Sequence, residues 1–209
     1  MWSWDITKLT GPQKWVHYNL YVVLDVFSRY VVAWRLEARE NAVLAEEMFA
    51  EAFIRENVDP KGLIVHADGG PAMTSKTLAQ LFSDLGVAQS RSRPHVSNDN
   101  PFIESHFKTL KYGPSYPGQF ANLEQAREFC RQFFEWYNHQ HRHTGIALLT
   151  PADVHHGRVE QKRSARRIVL HAAHSAHPER FVRGLPEPPS IEPAVYINQP
   201  QPDQTAKAA

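Results

Sequence analysis

The hydrophobic period of this chain changes repeatedly between two and 3.6 residues, so its apolar positions have to be buried in a layered α/β fold. Residues 15–25 and 29–36 are rich in Val, Tyr, Trp and Leu and are separated by Val26-Phe27-Ser28, which predicts a β-hairpin. Residues 2–7 supply a third strand beside it. From 40 to 57 the pairs Leu44/Met48 and Phe49/Phe53 fall at helical spacing opposite Glu and Arg, and Asp59-Pro60 ends that helix. Leu63-Ile64-Val65 reads as a short buried strand opening into Ala67-Asp68-Gly69-Gly70, which puts Asp68 at a strand tip. Thr74 or Ser75 can cap a helix carrying Leu78, Leu81, Phe82 and Leu85, stopped by Gly86, and 87–90 return as a strand.

Residues 91–100 hold little that is apolar and read as a mobile loop. Pro101 is tolerated at a first helical position, with Asn100 as the cap, and a further helix starts after Asn122. That helix presents Leu123, Ala126, Phe129, Cys130, Phe133 and Tyr137 on one face and ends near Asn138. Its aromatics belong to a core rather than to a stacking surface.

Composition narrows the classes. The chain has 209 residues, 42% of them hydrophobic and 22% charged, as in a folded domain with a short appendage. No apolar run is long enough to span a bilayer and Met1-Trp2-Ser3-Trp4-Asp5 does not resemble a signal peptide, so a cytoplasmic protein without membrane contact is expected. Cys130 is the sole cysteine, which rules out an internal disulfide and a thiolate zinc cluster. The net charge of +1 hides a basic stretch at 158–183, where Arg or Lys at 158, 162, 163, 166, 167, 180 and 183 face two Glu, at 160 and 179. Residues 186–202 are Pro-rich and read as extended or disordered. The expected division is a core at 1–156 and a basic, then Pro-rich extension at 157–209.

Asp5 on the first strand, Asp68 at a later strand tip and Glu104 on a helix describe acids converging from distant elements. Magnesium takes such hard oxygen ligands, and two ions about 4 Å apart stabilise both the attacking and the leaving oxygen of a phosphodiester displacement. Glu104, Lys108 and Lys111, at i, i+4 and i+7, share one helix face, while Ile103, Phe107 and Leu110 face the core. The competing reading of that face is a solvated Glu and Lys pair.

These residues lie in motifs that resemble the catalytic core of retroviral integrases and of bacterial insertion-sequence transposases with the DDE motif. Trp4-Asp5-Ile6-Thr7 is similar to the first motif, Leu24-Asp25-Val26-Phe27-Ser28-Arg29 to the strand turn after it, and His66-Ala67-Asp68-Gly69-Gly70 to the second. Asn98-Asp99-Asn100-Pro101-Phe102-Ile103-Glu104-Ser105, with Lys108 and Lys111, is similar to the third, and 35 residues lie between Asp68 and Glu104. Tyr137-Asn138, Arg142-His143 and Thr150-Pro151-Ala152 resemble the C-terminal signature. The resemblance implies an RNase H-like fold with a mixed five-stranded sheet flanked by helices. It also implies two Mg2+ or Mn2+ ions at Asp5, Asp68 and Glu104, hydrolysis and strand transfer on double-stranded DNA, self-association, and a nucleoid-associated place in a bacterial cytoplasm.

Lys108, Lys111, Arg142, His143, Arg163, Arg166 and Arg167 are the candidate DNA contacts. Asp25 reads as a turn partner of Ser28 and Arg29, and His66 as a satisfied core histidine. A zinc site at His139, His141 and His143, helped by His155 and His156, is disfavoured because i and i+2 point to opposite sides of a helix. The short lead-in before Asp5 raises the expectation of an excised domain, a product of a split reading frame or a remnant, lacking a helix-turn-helix region. A catalytically silent DNA-binding or dimerisation fragment is therefore the rival reading, and a hybrid-cutting ribonuclease H a third.

Overall fold

The computed structural model describes residues 1–68, 73, 75–92 and 100–197. Five strands, β1 (Trp2–Thr10), β2 (His17–Asp25), β3 (Val31–Glu37), β4 (Ile64–Ala67) and β5 (Ala88–Arg91), form one sheet in the order β3-β2-β1-β4-β5. β2 is antiparallel to β1 and β3, whereas β4 is parallel to both β1 and β5. The expected mixed five-stranded sheet is therefore present. Among the described residues six α-helices accompany it: α1 (Ala42–Arg55), α2 (Lys76–Leu85), α3 (Pro101–Tyr112), α4 (Leu123–His139), α5 (Pro151–His155) and α6 (Val159–Ala176).

The alternation of side chains along β1 and β2 divides the core in two. Trp2, Trp4, Tyr21 and Val23 pack with Met48, Phe49 and Phe53 of α1 and Leu78 and Phe82 of α2. Leu9, Leu20, Val22 and Leu24 pack on the opposite face with Ile103, Phe107 and Leu110 of α3 and Ala126, Cys130, Phe133 and Tyr137 of α4. Leu20, Leu24 and Phe49 are fully withdrawn from water, each contributing roughly 1.5–3 kcal/mol. A smaller cluster of Ile146, Leu149 and Val154 receives Val159 and Ile191.

Several local expectations shift. β1 runs three residues beyond the predicted end, because every residue to Thr10 keeps a partner on β2. α1 starts after Asn41, whose side chain accepts from the Val43 N–H at 3.0 Å. It stops before Asp59-Pro60, since Asn57 turns left-handed at φ 49°. Ser75 caps α2 and Gly86, at φ 71°, ends it; Thr74 lies outside the described residues. The turn at Gly69-Gly70 and the bulk of the 91–100 loop also lie outside them.

Asn100 occupies the N-cap position of α3 but makes no side-chain cap. Its Oδ1 accepts from Ser3 Oγ instead. The basic stretch is not featureless: residues 159–176 form α6, which carries its charge on an amphipathic cylinder without a fully buried residue. The 3-10 turn Pro178–Arg180 follows in the basic stretch, the described part of the Pro-rich segment has neither helix nor strand, and Glu187 ties it to Arg167 at 2.8 Å and His171 at 3.0 Å. No described helix is long and apolar enough to cross a membrane.

Candidate active site

Parallel pairing of β1 with β4 places Trp4 opposite Ala67, so the next residues, Asp5 within β1 and Asp68 just past the end of β4, lie side by side. Adjacent strands are about 4.8 Å apart, which makes the two carboxylates unavoidable neighbours. Glu104 joins them from the first turn of α3, which lies over β1. Burial pushes the Asp5 carboxyl up to about 7, with Asp68 and Glu104 adding to the rise and the Ile6 N–H and Lys111 opposing it. Asp68 and Glu104 thus both act electrostatically on Asp5.

The N-terminal turn of α3 is held in place from two sides. Ser3, two residues before Asp5, donates to Asn100, four residues before Glu104. On the other flank the Arg29 guanidinium lies 3.8 Å from the ring centroid of Phe102, a cation–π contact. Arg29 reaches it from the turn between β2 and β3, at φ 65°, where Asp25 accepts from the Ser28 N–H at 3.0 Å and from Ser28 Oγ. Asp25 serves that turn, as its spacing predicts.

Ser92 does the corresponding work for Asp68. Its Oγ donates to Asp68 Oδ1 and also lies 3.3 Å from His66 Nε2, while His66 Nδ1 lies 3.0 Å from Ser90 Oγ. His66 is 2% exposed and is a hydrogen-bonded core histidine, as expected, but its partner also steers an acid. Ser3, Ser92 and Asn100 carry no signal by residue type, because buried serines and asparagines are ordinary; only the pairing geometry singles them out.

Among the described residues, no three side chains of ligating type stand close enough to enclose an ion. Asp5 accepts from the Ile6 N–H at 2.7 Å and Asp68 accepts from Ser92. The donor set itself fits an oxygen-preferring divalent ion: three carboxylates, one of them so destabilised as an anion that positive charge would relieve it. A thiolate contributes nothing here, since Cys130 is buried and its thiol is pushed up to about 12.

The predicted cations divide into two groups. Lys108 is exposed one turn beyond Glu104. Lys111 lies along the same helix, where burial lowers its pKa and Asp5 opposes that, and donates to Thr7 Oγ1 at 2.7 Å. The others lie elsewhere and are engaged. Arg142 donates to the Leu148 carbonyl at 3.2 Å, while Arg166 donates to those of Ala147 and Leu148 at 2.6 and 2.5 Å. Arg163 lies 3.9 Å from Glu160, and Arg167 pairs with Glu187. His143 sits edge-on to Tyr137 and His141, and burial lowers its pKa to about 4.

Two models described as integrase core domain match residues 1–97 and 85–151. The chain belongs to the integrase core domain family. Among curated relatives, the transposase for insertion sequence element IS904 of Lactococcus lactis subsp. lactis is 32% identical over 154 residues, 73% of this chain and 60% of that protein. The transposase InsF for insertion sequence IS3A of Escherichia coli is 30% identical over 151 residues, 72% of this chain and 51% of that protein. The chain thus spans between half and two thirds of these relatives' lengths.

Among solved structures, the integrase core is similar to the simian T-cell lymphotropic virus intasome in complex with PP2A regulatory subunit B56 gamma. The TM-score is 0.58 at 22% identity, covering 74% of this chain and 53% of that chain. It is also similar to the HTLV-2 integrase catalytic core domain in complex with magnesium, with TM-score 0.54 at 18% identity, covering 74% of this chain and 94% of that chain. The sheet order and these likenesses make the fold RNase H-like, as the motifs implied.

Proposed function

We propose that this chain is the catalytic core of a DDE transposase that hydrolyses DNA phosphodiesters and transfers the resulting strand. The carrying observation is that the parallel pairing of β1 with β4 sets Asp5 beside Asp68, while Asp68 and Glu104, on the first turn of α3, add to the burial that raises the Asp5 carboxyl to about 7. Magnesium or manganese, as two ions held by these carboxylates, would supply an activated water and offset charge on the phosphorus. The solved HTLV-2 core was described with magnesium, which supports that choice.

The chain's own residues prepare the rest. Ser92 and the Ser3–Asn100 pair orient Asp68 and the Glu104 turn, limiting the loss of freedom needed on binding substrate. Lys108, exposed beside Glu104, is placed to meet a phosphate of double-stranded DNA. Lys111 lends positive charge to Asp5 from its place on Thr7. Self-association follows from the same reading, since a structural neighbour is an intasome and joining two DNA ends requires more than one core. Arg142, Arg163, Arg166 and Arg167 add positive charge from farther away, each holding a protein partner, whereas His143, its pKa lowered to about 4 by burial, is uncharged near neutral pH and would offer a hydrogen bond rather than charge.

Incubation of the chain with magnesium or manganese and supercoiled plasmid tests the proposal: nicking or joining is expected, with Asp68→Asn and Glu104→Gln abolishing it. Activity persisting in both variants would remove the assignment. DNA binding with no metal-dependent cleavage by the wild type would favour instead a catalytically silent DNA-binding or dimerisation role.

A further inference from the structure

β1 continues five residues past Asp5 to Thr10, whereas its parallel neighbour β4 ends beside Trp4, so the β1–β2 hairpin projects beyond the acids. At about 3.4 Å per residue the strand covers roughly 17 Å, about five nucleotide steps of one DNA strand. The tip is a defined turn. Gly11 N–H donates to the Val16 carbonyl at 2.9 Å and Val16 N–H to that of Gln13 at 3.0 Å. A Cβ on Gly11 would meet Val16 Cγ1 at 2.7 Å, so that closure requires glycine. Trp15 sits at its apex with φ 73°, a conformation a bulky residue rarely adopts, and is 82% exposed. Nothing in the hydrophobic clusters uses its ring.

The hairpin itself and the segment after Ser105 carry cations without acids, and Glu37, opposite Asn19 on β3, is paired with Arg35 and Arg127. No Asp or Glu occurs between Ile6 and Leu24 or between Ser105 and Leu123, and these segments carry Lys8, Lys14, Lys108 and Lys111. The two segments meet where Lys111 donates to Thr7 and the Phe120 N–H donates to the Thr10 carbonyl at 2.9 Å, with Lys8 projecting from the other face of the hairpin. Lys14 Nζ stands 5.2 Å from the centre of the Trp15 ring, and Tyr112, next to Lys111, is 85% exposed. Exposed aromatic faces among cations, with no acid between them, match the chemistry of a strand whose phosphates need charge and whose bases need a stacking partner.

We propose that the β1–β2 hairpin binds the DNA strand leading away from the three acids, with Trp15 stacking on an unpaired base and Lys8 and Lys14 meeting its phosphates. The proposal rests on the DNA reading above and adds a contact surface to it. Binding of fluorescein-labelled oligothymidylate and of a mixed-sequence duplex to the full chain, by anisotropy in EDTA across a salt series, tests it. Trp15→Ala should weaken oligothymidylate binding roughly tenfold with the salt slope unchanged, and Trp15→Phe should restore most of the loss. The Lys8→Ala/Lys14→Ala double variant should reduce the slope by roughly 1.5.

An exposed ring contributes little packing, so circular dichroism of the variants should match wild type. Binding by Trp15→Ala within twofold of wild type, while wild type binds DNA and nicks plasmid with metal, would overturn the hairpin proposal and leave the DNA reading intact. Preference for duplex with no Trp15 dependence would overturn stacking in the same way. Wild type failing to bind either oligonucleotide would remove both.

Discussion

Ser3 on β1 donates a hydrogen bond to Asn100 across 97 residues of sequence, fixing the approach of the helix that carries Glu104 to the strand that carries Asp5. Both side chains are essentially withdrawn from solvent. Ser3→Ala leaves the Asn100 acceptor buried without its partner, which should cost about 1–3 kcal/mol in chemical denaturation. The nicking rate should fall further than the unfolded fraction explains, and Ser3→Thr should recover part of it. A rate that merely follows folded protein would show the pair to be structural only.

Asp5 has a carboxyl raised to about 7 by burial and then by Asp68 and Glu104. A group raised in the folded state stabilises below its unfolded value of about 3.9, and this contribution is lost as pH rises through about 7. Asp5→Asn should therefore raise the melting temperature at about pH 8 in EDTA while abolishing cleavage. Magnesium should raise the melting temperature of wild type at that pH, less so at about pH 6 where a proton must be displaced, and hardly that of Asp5→Asn.

His155 anchors α5 to the sheet. Nδ1 lies 3.3 Å from Ser28 Oγ and 3.7 Å from Asp25, Nε2 lies 3.2 Å from Glu56, and the ring stacks on Tyr30 at 4.3 Å. Burial disfavours its charge, but the bonds to Asp25 and Glu56 outweigh it and raise its pKa. Stability from this group is complete below its unfolded pKa of about 6.5 and is lost as pH rises through the higher folded value. His155→Gln should cost roughly 1–3 kcal/mol at about pH 6, by removing the charged partner of Asp25 and one of the two of Glu56, which keeps Arg55 at 3.2 Å. It should also flatten the alkaline fall of the stability profile, which a urea series across pH would detect.

Lys108 and Arg166 should separate in a salt series on duplex DNA. Lys108→Ala should lower the slope of log affinity against log salt by about 1, as for one phosphate contact. Arg166→Ala should leave the slope nearly unchanged and destabilise the chain by about 1 kcal/mol or more instead. Its guanidinium satisfies the carbonyls of Ala147 and Leu148, two successive left-handed residues at φ 57° and 56°. An unaltered slope for Lys108→Ala would move the phosphate path off this helix face.

The sequence by itself determined the identity and order of the acids, the alternation of strands and helices, and the two apolar faces of the sheet. Those properties depend on residue type and period, which are local. It also carried the caps at Ser75 and Gly86 and the turn at Asp25. It could not reveal α6 as a helix, because a cylinder with no fully buried residue leaves little hydrophobic period to read. Asn100 looked like a helix cap because a cap is the nearest use for its side chain, and only the approach of β1 offered it Ser3 instead. The same holds for Ser92 on Asp68, Arg29 on Phe102 and His155 between Asp25 and Glu56. Tertiary structure decided these pairings because a side chain's partner is set by which distant elements pack together, and β1 lies between β2 and β4 although the latter follows it by more than fifty residues.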